Sequence, residues 1–272
     1  MLIKYLRLIH AFGRAFWILW FKFPRLSRDR KLDEIKRWSQ STLKILGIQV
    51  LHETADTHIP RAQAPLMLIA NHVSWVDVLL IQSIQPSVFV AKAEVKRWPI
   101  VGSIASACGV VFVDRGSPSS ARRMVDDVSS ALHHGYCVAG FPEGTSSEGH
   151  TVSLFHANLF EAAIQHQIQV QPLAIRYTHP GTGALCLKAA FVGEIDFIQS
   201  LHQVMSAQGI NARVHTGEML SPQGHSRRTL AHLAHRSVSS QLEWLNASTR
   251  STGSASLWPA EEAMKSSMSP QR

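Results

Sequence analysis

Cysteine is scarce in this chain: three in 272 residues, Cys108, Cys137 and Cys186, each in an apolar stretch and none at metal-ligand spacing. That excludes a disulfide scaffold and a cysteine zinc site, and reads as reduced core thiols. A membrane-spanning run is missing from the amino terminus. Its longest unbroken apolar stretch is residues 15–21, far short of the roughly 20 residues that cross a bilayer. No small-residue cleavage site follows it, so it does not read as a secretory signal. A G-x-S-x-G elbow and a phosphate-binding P-loop are also absent, and neither Ser74 nor Ser103 sits in a nucleophile setting, which argues against a hydrolase. Internal repeats are lacking. His133 and His134 are adjacent and point apart, while His225, His232 and His235 are expected to be solvated in or near a polar closing helix. No metal and no cofactor is therefore expected.

What the chain does have is positive charge, +8 net, beside a 45% hydrophobic content ample for a core. An anionic partner follows. On a helix over the first turns, Lys4, Arg7, Ala11 and Arg14 fall on one stripe with His10 beside it. Phe12, Phe16, Trp17, Leu19 and Trp20 cover most of the rest. A basic stripe with interfacial aromatics describes a helix lying at the head-group level of an anionic membrane surface. Nucleic acid is not the expected partner, because the basic residues gather in the two amino-terminal helices and no basic motif is interleaved with aromatics.

Pro24 breaks the first helix, and a second amphipathic helix is predicted over 32–46. Beyond it, apolar strands alternate with helices: strands at IQVLHE, LMLIAN, SVFVAKAE, VVFVDR, YCVAGFP, VQPLAIRY, ALCLKAAFVGEI and ARVHTGEML, helices over 74–84, 119–133 and 154–166, and a closing helix. This predicts an α/β layer fold. Residues 1–48 form the helical anchor, 49–246 the folded domain, and 247–272, rich in Ser, Ala, Thr and Pro, a disordered tail. Pro172, inside a strand, points to a sheet edge or a pocket wall.

The stretch IANHVSWVDVLL, residues 69–80, places Asn71, His72, Ser74 and Asp77 where a strand hands over to a helix. Ser74 and Asp77 have capping-box spacing, so the carboxylate can serve the helix start alone. A second reading is chemical. A neutral imidazole can take the proton of an alcohol attacking an activated acyl group, with a carboxylate fixing its tautomer. On a continuous helix His72 and Asp77 lie about 140° apart; they converge only if the histidine occupies the turn and the aspartate the first helical turn. Taken alone, the stretch leaves both readings open.

Three further stretches bear on the choice. GVVFVDRG sets Asp114 and Arg115 at the end of an apolar strand, the arginine free to fork onto a phosphate. AGFPEGTSSEG leads a strand into a glycine-rich turn with Glu143, able to turn backbone N–H groups toward an anion. VQPLAIRY supplies the last strand of the set. In this order NHxSxxD, F-x-D-R, FPEGT and V-x-P, over residues 66–176, the chain resembles the glycerophospholipid acyltransferase family. Within it the chain is most similar to the bacterial 1-acyl-sn-glycerol-3-phosphate acyltransferases.

The resemblance implies a mixed-sheet acyltransferase layer fold with an amino-terminal amphipathic anchor on the cytoplasmic face of the inner membrane. It implies transfer of a fatty acyl group from an acyl carrier protein or coenzyme A thioester to the sn-2 hydroxyl of 1-acyl-sn-glycerol-3-phosphate. His72 is then the general base and Asp77 its orienting partner. Arg115 holds the acceptor phosphate, and Glu143, Gly144 and Thr145 shape the acceptor pocket, with Lys92 in the same charged region. The chain departs from the family in one place: Ser146 stands where members acting on lysophosphatidic acid commonly carry arginine after E-G-T. Relatives that acylate lyso-ornithine lipid resemble this FPEGTSSEG version, which makes that lipid the alternative acceptor.

Overall fold

The computed structural model describes residues 2–53, 65–98, 100–114 and 117–248. Two helices lead the chain. α1 (Leu2–Trp17) runs on through a π turn, Ile18–Lys22, and a 3-10 turn, Phe23–Arg25, where Pro24 ends it. α2 (Arg28–Leu46) stops at Gly47, whose φ of 78° lets its N–H turn back onto the carbonyls of Leu43 and Lys44. Then follow β1 (Ile48–His52), β2 (Met67–Ala70), α3 (Val76–Ile84), β3 (Val88–Lys92), α4 (Val101–Ala107) and β4 (Val111–Val113). The chain continues with α5 (Pro118–His133), β5 (Val138–Gly140), α6 (Phe160–His166), β6 (Val170–Thr178), α7 (Phe197–Ser206), β7 (Ile210–Thr216) and α8 (Arg227–Ala247).

The seven strands form one sheet in the order β1-β7-β6-β2-β5-β3-β4. All neighbours pair in parallel except β6 with β7, which run antiparallel from Leu173 opposite Thr216 to Thr178 opposite Asn211. The mixed α/β class expected from the sequence is present. The central strands are buried on both faces, which is why they read as continuous apolar runs. Leu68 and Ala70 of β2 face one core with α1, α2, α3 and α7, whereas Met67 and Ile69 face the other with α5, α6 and α8.

Three expectations need correction. ALCLKAAFVGEI is not a strand: after one bridge between Thr178 and Leu185 it turns through a 3-10 segment, Leu187–Ala189. The helix expected over 154–166 becomes regular only at Phe160, after a 3-10 turn at Ala157–Leu159. Pro172 is not on an edge, since β6 lies between β2 and β7. Between the Val170–Leu220 bridge and the Leu173–Thr216 pair, two residues of β6 oppose three of the partner segment. The proline falls in that bulge, where the ladder is already interrupted. No described helix is long and apolar enough to cross a membrane. Residues 249–272, most of the expected tail, lie outside the described residues.

Candidate active site

The four stretches singled out in the sequence meet at one end of the sheet. His72 follows β2, Lys92 closes β3, Asp114 follows β4 and Gly144 follows β5. These strands are neighbours in the order β2-β5-β3-β4, and all are parallel, so their carboxyl ends share one rim. Crevices at the carboxyl ends of parallel strands are the usual ligand sites of open α/β sheets.

The turn between β2 and α3 is built by side chains acting as backbone. Asn71, fully buried, accepts from the N–H of Ile175 at 2.7 Å and donates to its carbonyl at 2.9 Å, so its amide continues the β2–β6 pairing for one step. The main chain is thereby released to turn at His72. The N–H of His72 donates to Glu143 Oε1 at 2.7 Å, and its carbonyl accepts from the N–H of Ser147 at 2.9 Å. The imidazole stacks on Phe141, with ring centroids 4.2 Å apart and planes 9° from parallel.

Asp77, with no exposed surface, receives four hydrogen bonds. Oδ2 accepts from His72 Nδ1 at 2.8 Å and from the N–H groups of Val73 and Ser74 at 2.7 and 2.9 Å; Oδ1 accepts from the Tyr177 hydroxyl at 2.7 Å. The two readings of the sequence are therefore not exclusive. The bond to Ser74 N–H is half of a capping box, and Ser74 Oγ accepts from Val76 N–H at 3.3 Å. The same carboxylate also holds the histidine. Because an ionised carboxylate only accepts, Nδ1 must carry the proton. Nε2 is then the acceptor, and the ring, 23% exposed, lines a groove of about 1130 Å³.

That groove is mostly apolar. Phe12, Ala15, Ile18 and Leu19 of the amino-terminal helix, Val78 and Leu79 of α3 and Ile104 of α4 contribute to its walls. Burial pushes the thiol of Cys108, also on the wall, up to about 12, so it is an inert apolar surface. An aromatic chain runs along one side: Trp75 against Phe197 at 5.1 Å, Phe197 against Trp98 at 5.4 Å, and Trp98 against Phe191 at 5.8 Å.

The other expected site residues fall as follows. Lys92, Gly144 and Thr145 line the groove. Gly144 has φ 71°, which the turn after Glu143 requires. Glu143 itself is buried and absent from the groove wall; its second oxygen accepts from Ser153 N–H at 2.7 Å. Burial raises its carboxyl above the ordinary value, against the opposing pull of these two N–H donors. It shapes the pocket by holding the backbone of His72 and the turn. Arg115 lies outside the described residues; its neighbour Asp114 is on the groove wall. Ser146, also on the wall, donates its hydroxyl to the carbonyl of Phe191.

Sequence reasoning missed Tyr177 and the splice made by Asn71. Alternation along β6 puts Tyr177 on the face of Leu173 and Ile175, but nothing in the sequence ties its hydroxyl to a carboxylate one hundred positions away. His235, expected to be solvated, instead packs edge-on against Phe155 at 5.2 Å and lies 3.2 Å from the Val152 carbonyl.

Comparison with known proteins identifies the family. The family model described as Acyltransferase matches residues 50–176. The chain is 34% identical over 174 residues to the lyso-ornithine lipid O-acyltransferase of Pseudomonas aeruginosa, spanning 64% of this chain and 66% of that protein. It is 34% identical over 207 residues to the enzyme of the same name from Rhizobium meliloti, with 71% and 68% covered. To the 1-acyl-sn-glycerol-3-phosphate acyltransferase of Neisseria meningitidis it is 30% identical over 188 residues, with 69% and 71% covered. The crystal structure of the 1-acyl-sn-glycerophosphate acyltransferase of Thermotoga maritima superposes with a TM-score of 0.63 at 22% identity, over 90% of this chain and 97% of that one. At that identity the likeness establishes the shared fold. The chain thus spans about two thirds of the curated relatives named here.

Proposed function

This chain belongs to the Acyltransferase family of lysolipid O-acyltransferases, and from that premise we propose that it esterifies the free hydroxyl of lyso-ornithine lipid with a fatty acyl group from a thioester. The observation that carries the chemistry is the Asp77–His72 pair, with Nδ1 held at 2.8 Å and Nε2 left on the groove. His72 Nε2 takes the proton of the acceptor hydroxyl as its oxygen attacks the thioester carbonyl. The tetrahedral intermediate collapses with loss of thiolate, which recovers the proton from the imidazolium. An ester and a thiol result, and the histidine returns to its starting state. Asp77 stabilises the imidazolium and fixes the ring, as in hydrolase triads. The apolar groove takes an acyl chain, and an acyl carrier protein or coenzyme A thioester serves as donor.

The head group is read from charge. Among the described residues lining the groove, Glu34, Glu94 and Asp114 are acidic and Lys92 is basic. This lining favours a head group that carries an ammonium, as ornithine does, over a phosphate dianion. Ser146 supports the same acceptor: its hydroxyl is engaged with Phe191, and it offers no guanidinium fork. A second reading, 1-acyl-sn-glycerol-3-phosphate as acceptor, is supported by Arg115 in the sequence and by the Neisseria relative.

The exposed Leu2, Ile3, Leu6, Ile9, Trp17, Trp20 and Phe21 support a membrane-surface location, which we place on the cytoplasmic side of the inner membrane as part of the same proposal. The test is parallel transfer assays on membranes containing the full chain or His72→Ala. Labelled thioester is offered with each acceptor, as carrier-protein and coenzyme A forms. Transfer to lyso-ornithine lipid that the variant lacks is expected. Transfer to the phosphate acceptor alone would replace the first reading with the second, and equal labelling by wild type and variant would remove His72 from the mechanism.

A further inference from the structure

A second cleft, of about 470 Å³, lies between α1 and α2 on the far side of Ile18 and Trp38 from the acyl groove. Its polar walls come from two facing rows at helical spacing: Arg7, His10 and Arg14 from α1, and Glu34, Arg37 and Ser41 from α2. Glu34 accepts from Arg37 at 3.0 Å. Arg7, His10 and Arg14 make no hydrogen bond or ion pair with any described residue. Three guanidiniums therefore converge on one cleft with a single carboxylate among them. Such an arrangement repels itself unless an anion enters, and forked guanidiniums suit phosphate oxygens. Directly beside this row α1 exposes Leu6 and Ile9, and the π turn that continues it exposes Trp20, an apolar strip that borders the guanidiniums.

We propose that this cleft is a phosphate site for the head group of an anionic glycerophospholipid, distinct from the acceptor site, whose acyl chains lie along the exposed strip of α1. The apolar strip selects a lipid phosphate over a free one. The proposal rests on the membrane-surface reading of α1 but not on the identity of the acceptor. It adds a contribution from α2: a stripe on α1 alone would not involve Arg37. Since Ile18, Glu34 and Trp38 line both cavities, the bound head group fixes how the acyl groove meets the bilayer.

The test is flotation of the full chain with phosphatidylcholine vesicles made with and without phosphatidylglycerol. Phosphatidylglycerol should raise binding, and Arg7→Gln/Arg14→Gln should lower it about thirtyfold, from the roughly fivefold that ~1 kcal/mol per cation represents. Arg37→Gln, which leaves α1 untouched, should lower it about fivefold. Arg228→Gln/Arg236→Gln, the same charge loss on exposed positions of α8 across the sheet, should change it less than about threefold. Equal losses in the two double variants, or wild-type binding by Arg37→Gln, would reduce the effect to bulk charge and overturn the proposal. Release from the vesicles by millimolar inorganic phosphate, at constant ionic strength, would assign the cleft to the free anion and overturn it too.

Discussion

Replacing Tyr177 with phenylalanine removes a single hydroxyl from a site that is 1% exposed. That hydroxyl is the only group among the described residues that reaches Asp77 Oδ1, at 2.7 Å. Oδ2 keeps its three N–H donors, so the carboxylate stays in place at one oxygen and becomes free to swing at the other. A hydrogen bond to a charged group contributes about 1.5–3 kcal/mol. If all of it is expressed in the transition state, at about 1.4 kcal/mol per decade, the ceiling on the loss is about 100-fold in kcat. Since part is also lost from the ground state, about tenfold is expected. KM for the acceptor should be unchanged, because Tyr177 does not line the groove. The deciding assay is a double-mutant cycle with Asp77→Asn, read by initial rates at saturating acceptor. Asn can keep its carbonyl on the three N–H donors and offer its amide to the tyrosine oxygen, so that variant should fold; without the negative charge facing the imidazolium its activity should fall by about 100-fold or more. Tyr177→Phe should then add little in the Asp77→Asn background. A kcat within twofold of wild type, or losses that multiply in full, would refute the claim that Tyr177 acts through the aspartate.

Glu143→Gln keeps the volume but sets an amide N–H₂ against one of two backbone N–H donors, so thermal melts should show a loss of about 1–3 kcal/mol. The folded carboxyl is raised from its ordinary value of 4.5, so the folded state holds the proton more tightly than the unfolded one. Its contribution to stability is greatest below 4.5 and declines as pH rises through the window up to the folded value. The glutamine variant should lack that component of the pH dependence. Ser146→Arg, which adds a cation to the groove wall, should raise the ratio of transfer to 1-acyl-sn-glycerol-3-phosphate over lyso-ornithine lipid; a ratio that falls would contradict the charge argument. Deleting residues 1–24 should abolish transfer even to a detergent-dispersed acceptor, because Leu8, Ala11, Ala15 and Ile18 are buried and Phe12, Ala15, Ile18 and Leu19 wall the groove. A folded, active truncate would show that the groove closes without α1.

Much of this site could be read from the chain because its residues sit where strands end, and strand ends are marked by apolar runs breaking into polar turns. His72, Asp114 and Gly144 were each placed in this way and Lys92 only by the resemblance, and parallel pairing then gathers all four on one rim. Helix geometry also set the condition for His72 and Asp77 to converge, the histidine in the turn and the aspartate in the first helical turn, but left open whether it held. What escaped was information carried across the sheet. Tyr177 and Ile175 act on residues some hundred positions earlier, and only the β2–β6 register brings them there. Glu143 was legible as a site residue, but the direction of its side chain, toward backbone N–H groups, is set by tertiary packing. The segment ALCLKAAFVGEI misled because its apolar residues serve the groove wall and core. Phe191 N–H bonds the carbonyl of Val73 instead of a strand partner.

The fixing of His72 has a consequence for the timing of turnover. Its N–H, its carbonyl, one ring edge and one ring face are each held by a different group. The residue therefore enters the reaction with its backbone and side-chain torsions already determined, and no rotamer entropy is surrendered at proton transfer. A base of this kind does not search for its substrate. On the proposed acylation, the conformational search falls to the substrates, which must bring a hydroxyl and a thioester carbonyl to an imidazole already in position.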